Sequence, residues 1–217
     1  MNQIMALVAQ STLETLEMTL FSTFFAVITG FPLGILLNVT NKFGIMPHPM
    51  LNQILSRIID VLRSFPFVIL MIVLLPFTRL LLGTAIGTAA TIIPLSIAAL
   101  PFVARLTETS LSEVDPGVIL AAKAMGSTNR QIIFKVLIPE SMPSVISGIT
   151  LTIITLISYS AMAGTLGGGG LGDLAIRYGY QRFRTGIMIA SVFVIIIMVA
   201  LIQFAGSRIA NKMLSKR

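Results

Sequence analysis

The sequence lacks cysteine altogether and has a single histidine, His48, among its 217 residues. The absence of cysteine excludes disulfide bonds, thiolate metal sites and a cysteine nucleophile, and one histidine argues against a histidine-rich metal site. Charged residues are also scarce, at 11% of the chain, against about 25% in soluble domains. So low a charge density leaves too little polar surface for a water-soluble globule. The composition therefore argues against a soluble enzyme, an extended disordered chain and a nucleic-acid-binding module.

Long apolar runs fill much of the sequence. Hydrophobic residues make up 55% of the chain, and about 20 consecutive apolar residues suffice to cross a bilayer. The charge-poor runs predict an all-α, polytopic membrane protein that forms one transmembrane domain over residues 1–217. Its five predicted spans cover about residues 18–39, 58–78, 81–104, 143–164 and 185–207, with a very short connection at Thr78 and Arg79. The longest polar segment, about residues 106–142, separates spans three and four.

Lysine and arginine are unevenly divided between the two sets of loops, which predicts the orientation in the membrane. The larger set holds eleven of them: Lys42, Arg57, Arg63, Arg105, Lys123, Arg130, Lys135, Arg208, Lys212, Lys216 and Arg217. The smaller set holds four: Arg79, Arg177, Arg182 and Arg184. We therefore expect the larger set to face the cytoplasm, with the N-terminus outside and the C-terminus inside.

Few charged side chains are expected to act within the membrane. Arg63 and Arg105 fall near the inner ends of spans, where they are interpreted as topology anchors able to pair with acidic neighbours or lipid headgroups. No span carries a centrally placed unpaired charge, which argues against ion-coupled transport. Glu14 and Glu17 precede the first span and are interpreted as solvated residues at the membrane edge.

Glycine and proline mark places where helices approach each other, bend or turn. Gly30 and Gly34 form a G-x-x-x-G pair, as do Gly83 and Gly87, and such pairs allow close backbone contact in lipid. Five prolines in or beside the spans favour a bundle that opens, as in a transporter, although a static bundle with kinked helices also fits. The glycine run 164–172 predicts a turn at the outer face rather than a dinucleotide site. No Gly-Lys pair occurs, so a Walker A loop is absent and any ATP must bind to another chain.

The polar segment 106–142 carries signals for two short helices. Asp115 and Pro116 are typical of a helix start, and Gly126 suits the left-handed position at a helix end. Thr128 and Gln131 have the spacing of a capping box, and Pro139 is predicted to end the second helix. By itself this pattern fits a membrane-surface helix, a structural loop or a docking element for a partner.

The same segment resembles the "EAA loop" of ABC importer permeases. Ala121, Ala122 and Gly126 match that motif, and Pro139 follows at the family's separation, while Leu120 stands where the family usually has glutamate. The resemblance covers nearly the whole chain and is closest to the permease subunit of methionine importers. It rests further on these segments: 62–67 (LRSFPF), 99–105 (ALPFVAR), 124–127 (AMGS), 159–162 (YSAM), 169–172 (GGLG) and 203–206 (QFAG).

This resemblance implies a type I ABC importer fold and a transport subunit rather than an enzyme, with no catalytic residue, metal or cofactor on this chain. It implies a homodimer in the bacterial inner membrane that works with two copies of a cytoplasmic ATPase, which bind ATP and Mg²⁺. A periplasmic or lipid-anchored methionine-binding protein is expected on the outer face, and no nucleic acid is expected as a partner. The alternatives are a permease for another small amino acid or related solute, an ATP-independent secondary transporter and a non-transporting scaffold.

The resemblance also assigns roles to particular residues. The coupling helix that docks on the ATPase would use Pro116, Gly117, Ala121, Ala122, Met125, Gly126 and Pro139. Candidates for the translocation pathway of L- or D-methionine are Ser158, Tyr159, Ser160 and Met162, although such hydroxyls also join helices to one another. Candidates for contact with the binding protein are Tyr178, Tyr180 and Arg182, although a solvated loop fits this segment equally well.

Overall fold

The computed structural model describes residues 2–215, so Lys216 and Arg217 lie outside the described part. Within that range the chain forms helices and connecting turns, with no strand. The α-helices are α1 (Asn2–Thr40), α2 (Pro49–Ser64), α3 (Phe67–Leu82), α4 (Thr88–Ser112), α5 (Pro116–Ala124), α6 (Asn129–Ile132), α7 (Ile138–Gly164), α8 (Gly170–Asp173) and α9 (Thr185–Leu214). Two π-helical segments, Ile133–Leu137 and Leu174–Tyr180, follow α6 and α8.

The first and fourth helices form the most extensive contact of the bundle. Gly30 and Gly34 make it possible, because a Cβ atom at either residue would lie within 3 Å of a backbone oxygen of α4. This confirms the close approach predicted from the first glycine pair. The second pair has another role, since Gly83 and Gly87 lie outside helices and have positive φ angles of 74° and 103°.

The predicted second span is not one straight helix. Helices α2 and α3 meet at an angle of 103° around Phe65 and Pro66. Proline forces the residue before it out of the helical region, and Phe65 accordingly has an extended ψ of 127°. Helix α3 then continues through Thr78 and Arg79, so the connection predicted there lies instead at residues 83–87. Four described helical stretches are long and apolar enough to span a membrane, and there are five if the bent pair is one span.

The fourth span begins well before the membrane-length helix α7. Helix α6, the first π-helical segment and α7 follow one another without a break from Asn129 to Gly164, over 36 residues. Pro139 does not end the helix as predicted, since it lies in the first turn of α7. Proline fits there because the π-helical turns before it already leave the i to i−4 pattern.

Three apolar clusters hold the described helices together. One joins α1, α3, α4 and α7 and includes Met18, Leu95 and Leu156. A small one of Leu37, Ile59 and Ala104 joins α1, α2 and α4. The third, around α5 and α6, is described with the site below. Large apolar side chains remain exposed elsewhere, for example Phe24 on α1 and Phe193 on α9. Exposed apolar surface of this extent requires lipid or a partner to cover it.

Candidate functional site

Helix α5 is built by the local signals seen in the sequence. The Asp115 carboxylate accepts a hydrogen bond from the Gly117 N–H at 2.7 Å, and Pro116 occupies the first turn. Gly126 has φ +78°, which lets the chain leave the helix sharply. The Thr128 and Gln131 side chains then form a complete capping box at the start of α6. The two short helices predicted around Gly126 are therefore confirmed.

The two neighbouring alanines of α5 lie on opposite sides of the helix. Ala122 is 4% exposed and belongs to a core cluster with Leu111, Val114, Ile132 and Leu137. Ala121 is exposed, and it lies on a stripe with four other exposed residues at helical spacing. This α5 stripe consists of Gly117, Leu120, Ala121, Ala124 and Met125.

The α5 stripe is an exposed apolar surface in the described part of the chain. Leu120 is 65% exposed and Met125 is 80% exposed. The small residues Gly117, Ala121 and Ala124 along the stripe leave room for another backbone or a large side chain to approach closely. Pro116 and Pro139 are exposed as well, but Pro139 belongs to the continuous helix and not to the stripe.

The four candidates for the translocation pathway do not share one face of α7. Ser158 and Met162, spaced by four residues, are exposed on the same side. Ser160 is 2% exposed and its hydroxyl donates to the Ile157 carbonyl at 2.7 Å. The Tyr159 ring stacks on Phe67, with centroids 4.5 Å apart and planes 7° apart. Ser160 and Tyr159 thus contribute to packing between and within helices.

A groove of about 470 Å³ lies between α2, α4 and α7. This arginine groove is lined by Arg63, Phe102, Arg105, Leu106, Thr109, Leu151, Thr152 and Thr155. Arg105 is tied to two carboxylates, at 2.8 Å from Asp60 and 2.7 Å from Glu108. Arg63 instead places its guanidinium over the Phe102 ring, 5.2 Å from the centroid. The pair with Asp60 joins α2 to α4 beside the groove, whereas Glu108 lies one turn further along α4 itself.

The glycine loop, residues 164–172, is held by the first helix. The Gly170 N–H donates to a carboxylate oxygen of Glu14 at 2.8 Å, and the Leu171 N–H donates to the Thr15 hydroxyl at 2.9 Å. The interpretation of Glu14 as a solvated residue is therefore wrong, whereas Glu17 is exposed as expected. No local pattern could have revealed this contact, because its partners are 156 residues apart.

The proposed binding-protein contacts lie just beyond the glycine loop. Tyr178 and Tyr180 belong to the second π-helical segment, and Arg182 follows in the turn before α9. The Arg182 guanidinium lies over the Tyr178 ring, 4.5 Å from its centroid. Tyr180 projects outward and is 71% exposed. The structure therefore brings Arg182 and Tyr178 together, while Tyr180 lies exposed in the same π-helical segment as Tyr178.

A comparison with known families shows what kind of protein carries these features. The sequence model described as "Binding-protein-dependent transport system inner membrane component" matches residues 30–217. The chain belongs to that family. As a member, it is an inner-membrane permease subunit of an ABC import system and not an enzyme, since the ATPase of such systems is a separate subunit.

Individual relatives extend the similarity over nearly the whole chain. The probable D-methionine transport system permease protein MetI of Pasteurella multocida (strain Pm70) is 50% identical over 210 residues, covering 97% of both chains. The methionine import system permease protein MetP of Bacillus subtilis (strain 168) is 47% identical over 176 residues, covering 81% of this chain and 79% of that protein.

A solved structure of the MetNI methionine ABC transporter, in an inward-facing conformation, has a chain with the same fold. The two superpose with a TM-score of 0.96 at 43% identity, over 98% of this chain and 99% of the other. An amino acid ABC transporter crystallised with histidines, 20% identical, shares the fold with a TM-score of 0.80. The expected all-helical fold of a type I ABC importer permease is thus confirmed.

Proposed function

We propose that this chain is the permease of an ATP-driven methionine importer. The observation that carries the proposal is the match to MetNI, a methionine transporter, over 98% of the chain at 43% identity. The relatives from Pasteurella multocida and Bacillus subtilis, both named for methionine transport, support the same substrate. In this proposal the permease is a homodimer, and two copies of a separate ATPase bind ATP and Mg²⁺.

The α5 stripe is the proposed docking surface for that ATPase. It is exposed, apolar and rich in small residues, while Ala122 on the other side anchors the helix in the core shared with Ile132. A force applied to the stripe would therefore reach α6 and, through the continuous helix, α7. Closure of the ATPase dimer on ATP would draw the two docking helices together and turn the bundle outward, and hydrolysis would reset it.

The proposed orientation follows from this docking. If α5 faces the cytoplasmic ATPase, the bundle alternates so that the N-terminus and the glycine loop lie outside and the C-terminus lies inside. The division of lysine and arginine between the loops supports the same orientation. The chain is then one transmembrane domain over residues 1–217, with its second span formed by the bent pair α2 and α3.

The outer and central surfaces receive the remaining proposed roles. Tyr178, Tyr180 and Arg182 would meet a periplasmic or lipid-anchored methionine-binding protein. On α7, the exposed pair Ser158 and Met162 would line the pathway at the dimer axis, because a serine hydroxyl is better solvated in a water-filled pathway than against lipid tails.

Transport can be tested with the complete system in proteoliposomes. The permease, its ATPase and the binding protein should import radiolabelled L-methionine only when ATP is present on the ATPase side. Unlabelled L-methionine or D-methionine should compete for this uptake, and alanine should not. Uptake at the same rate without the ATPase would instead support a secondary transporter. An absence of competition by methionine would contradict its assignment as the substrate.

Docking can be tested by adding bulk to the α5 stripe. Ala121→Phe should prevent close approach, so that co-purification of the ATPase falls by about tenfold or more, as expected for a loss of well over 1 kcal/mol of binding energy. The matched control is Asn211→Phe, an exposed position near the end of α9. Both variants should remain dimeric membrane proteins. Equal co-purification in the two variants would contradict docking through α5.

A further inference from the structure

Arg63 lies near the middle of the bundle rather than at the inner end of a span. Its guanidinium covers Phe102, which is about ten residues, or roughly 15 Å, from the inner end of α4 at Ser112. Across the groove it faces the middle of α7, where Thr152 and Thr155 line the same cavity. The break at Phe65 and Pro66 accounts for this depth, because it ends α2 level with the middle of α4.

A charged side chain at this depth is energetically unfavourable unless it contacts water, an opposite charge or a ligand. Asp60 and Glu108 are the nearby carboxylates, and both bind Arg105. Among the described residues, Arg63 forms no ion pair. Its planar fork of N–H donors is therefore available to an acceptor from outside the chain, and such a fork matches the two oxygens of a carboxylate.

The rest of the arginine groove complements an apolar amino acid. Its volume of about 470 Å³ falls within the range of small-molecule sites. Threonine hydroxyls at 109, 152 and 155 offer polar contacts, and Phe102, Leu106 and Leu151 supply apolar walls. A groove with two arginines and three threonines is unfavourable against lipid tails, so we expect it to open to the water-filled pathway.

One face of α7 connects this groove to the outer end of the bundle. Leu151, Thr155, Ser158 and Met162 are spaced by four, three and four residues, which places them on the same side of a helix. Leu151 and Thr155 line the groove, and Met162 lies near the glycine loop. A solute that moves along this face therefore reaches Arg63.

We propose that Arg63 binds the α-carboxylate of the transported amino acid, with Phe102 and Leu151 in contact with its apolar side chain. This inference rests on the proposed function, because it requires an amino acid as cargo. It assigns to the permease itself a cargo site at mid-depth in the bundle.

Uptake by the reconstituted complex tests whether the Arg63 guanidinium binds the transported amino acid. Arg63→Gln should lower ATP-dependent L-methionine uptake by about tenfold or more, the effect of losing a charged hydrogen bond, while ATP hydrolysis and assembly persist. Arg63→Lys, which keeps the charge without the fork, should give an intermediate rate. The control Arg57→Gln, at an exposed position on the same helix, should transport as the wild type does. Uptake by Arg63→Gln within twofold of this control would overturn the proposal.

Photo-labelling of the wild-type complex tests where on the permease the cargo binds, and it does not require any variant to fold. A diazirine analogue of methionine, carried by the complete system and activated by light, should label the permease at α4 or α7 beside the groove. Labelling of the permease only elsewhere, or no labelling of it, would overturn the site. If wild-type complexes show no ATP-dependent uptake, the proposed function itself fails; if they transport and label elsewhere, only the Arg63 site fails.

Discussion

Replacing Gly34 by alanine should destabilise the contact between α1 and α4. A Cβ atom at this position would lie 2.5 Å from the Ala104 carbonyl oxygen and 2.5 Å from the Thr107 Cβ, whereas ordinary contacts begin at 3.4 Å. The oxygen belongs to the helix backbone and cannot rotate away. The two helices must therefore move apart by nearly 1 Å along their most extensive contact.

The expected cost follows from two opposing effects. Overpacking of this kind costs about 1–3 kcal/mol, and we expect the upper end because the obstacle is backbone. Alanine is favoured over glycine within a helix by roughly 0.5–1 kcal/mol, which offsets part of the cost. The net loss in the free energy of unfolding should therefore be about 2 kcal/mol.

Steric-trapping measurements of unfolding in bicelles can resolve a change of this size. The matched control is Gly186→Ala in α9, where an added Cβ atom meets nothing within 4 Å. It should be neutral or stabilising by up to about 1 kcal/mol. If Gly34→Ala proves as stable as Gly186→Ala, the glycine pair does not set the distance between the two helices.

Three further predictions concern other contacts of the bundle. Glu14→Ala should lower the free energy of unfolding by about 1–3 kcal/mol, because the Gly170 amide loses its acceptor. The exposed control Glu17→Ala should change it by less than about 0.5 kcal/mol. Equal effects of the two variants would contradict a stabilising role for the contact between Glu14 and Gly170. Gly126→Val should reduce ATPase co-purification more than Gly126→Asn, because asparagine tolerates a left-handed backbone and valine does not; equal reductions would exclude backbone strain as the cause. Glu108→Gln should destabilise more than Asp60→Asn in the same unfolding assay, because the Glu108 side chain is 14% exposed and that of Asp60 is 59% exposed; the reverse order would refute this.

The parts of the fold that the sequence predicts well are those decided within a few residues. The start of α5 at Asp115, its end at Gly126 and the capping box at Thr128 all follow from local hydrogen bonding and backbone preference. The close approach at Gly30 and Gly34 is a similar case, because spacing alone places both on one side of a helix.

The features that the sequence does not predict depend on the direction of the chain after a break or on distant contacts. Pro66 signals a bend, but no local rule gives the 103° turn that carries Arg63 to the middle of the bundle. A continuous second span would place Arg63 at the inner end of that span, as an anchor. The contact of Glu14 is an example of distant pairing, because the first helix meets the glycine loop only in the folded bundle.

The unbroken helix from Asn129 to Gly164 is not equally stiff along its length. The π-helical turns at 133–137 widen the backbone spiral, and Pro139 and Pro143 each lack the N–H that would complete the next hydrogen bond. Bends in helices concentrate at such irregularities. Resistance to bending is therefore lowest over residues 133–143, between the short helices of the 106–142 segment and the remainder of α7. A force on those short helices would therefore reach the rest of α7 as a change in the angle between the two parts, with each part keeping its own shape.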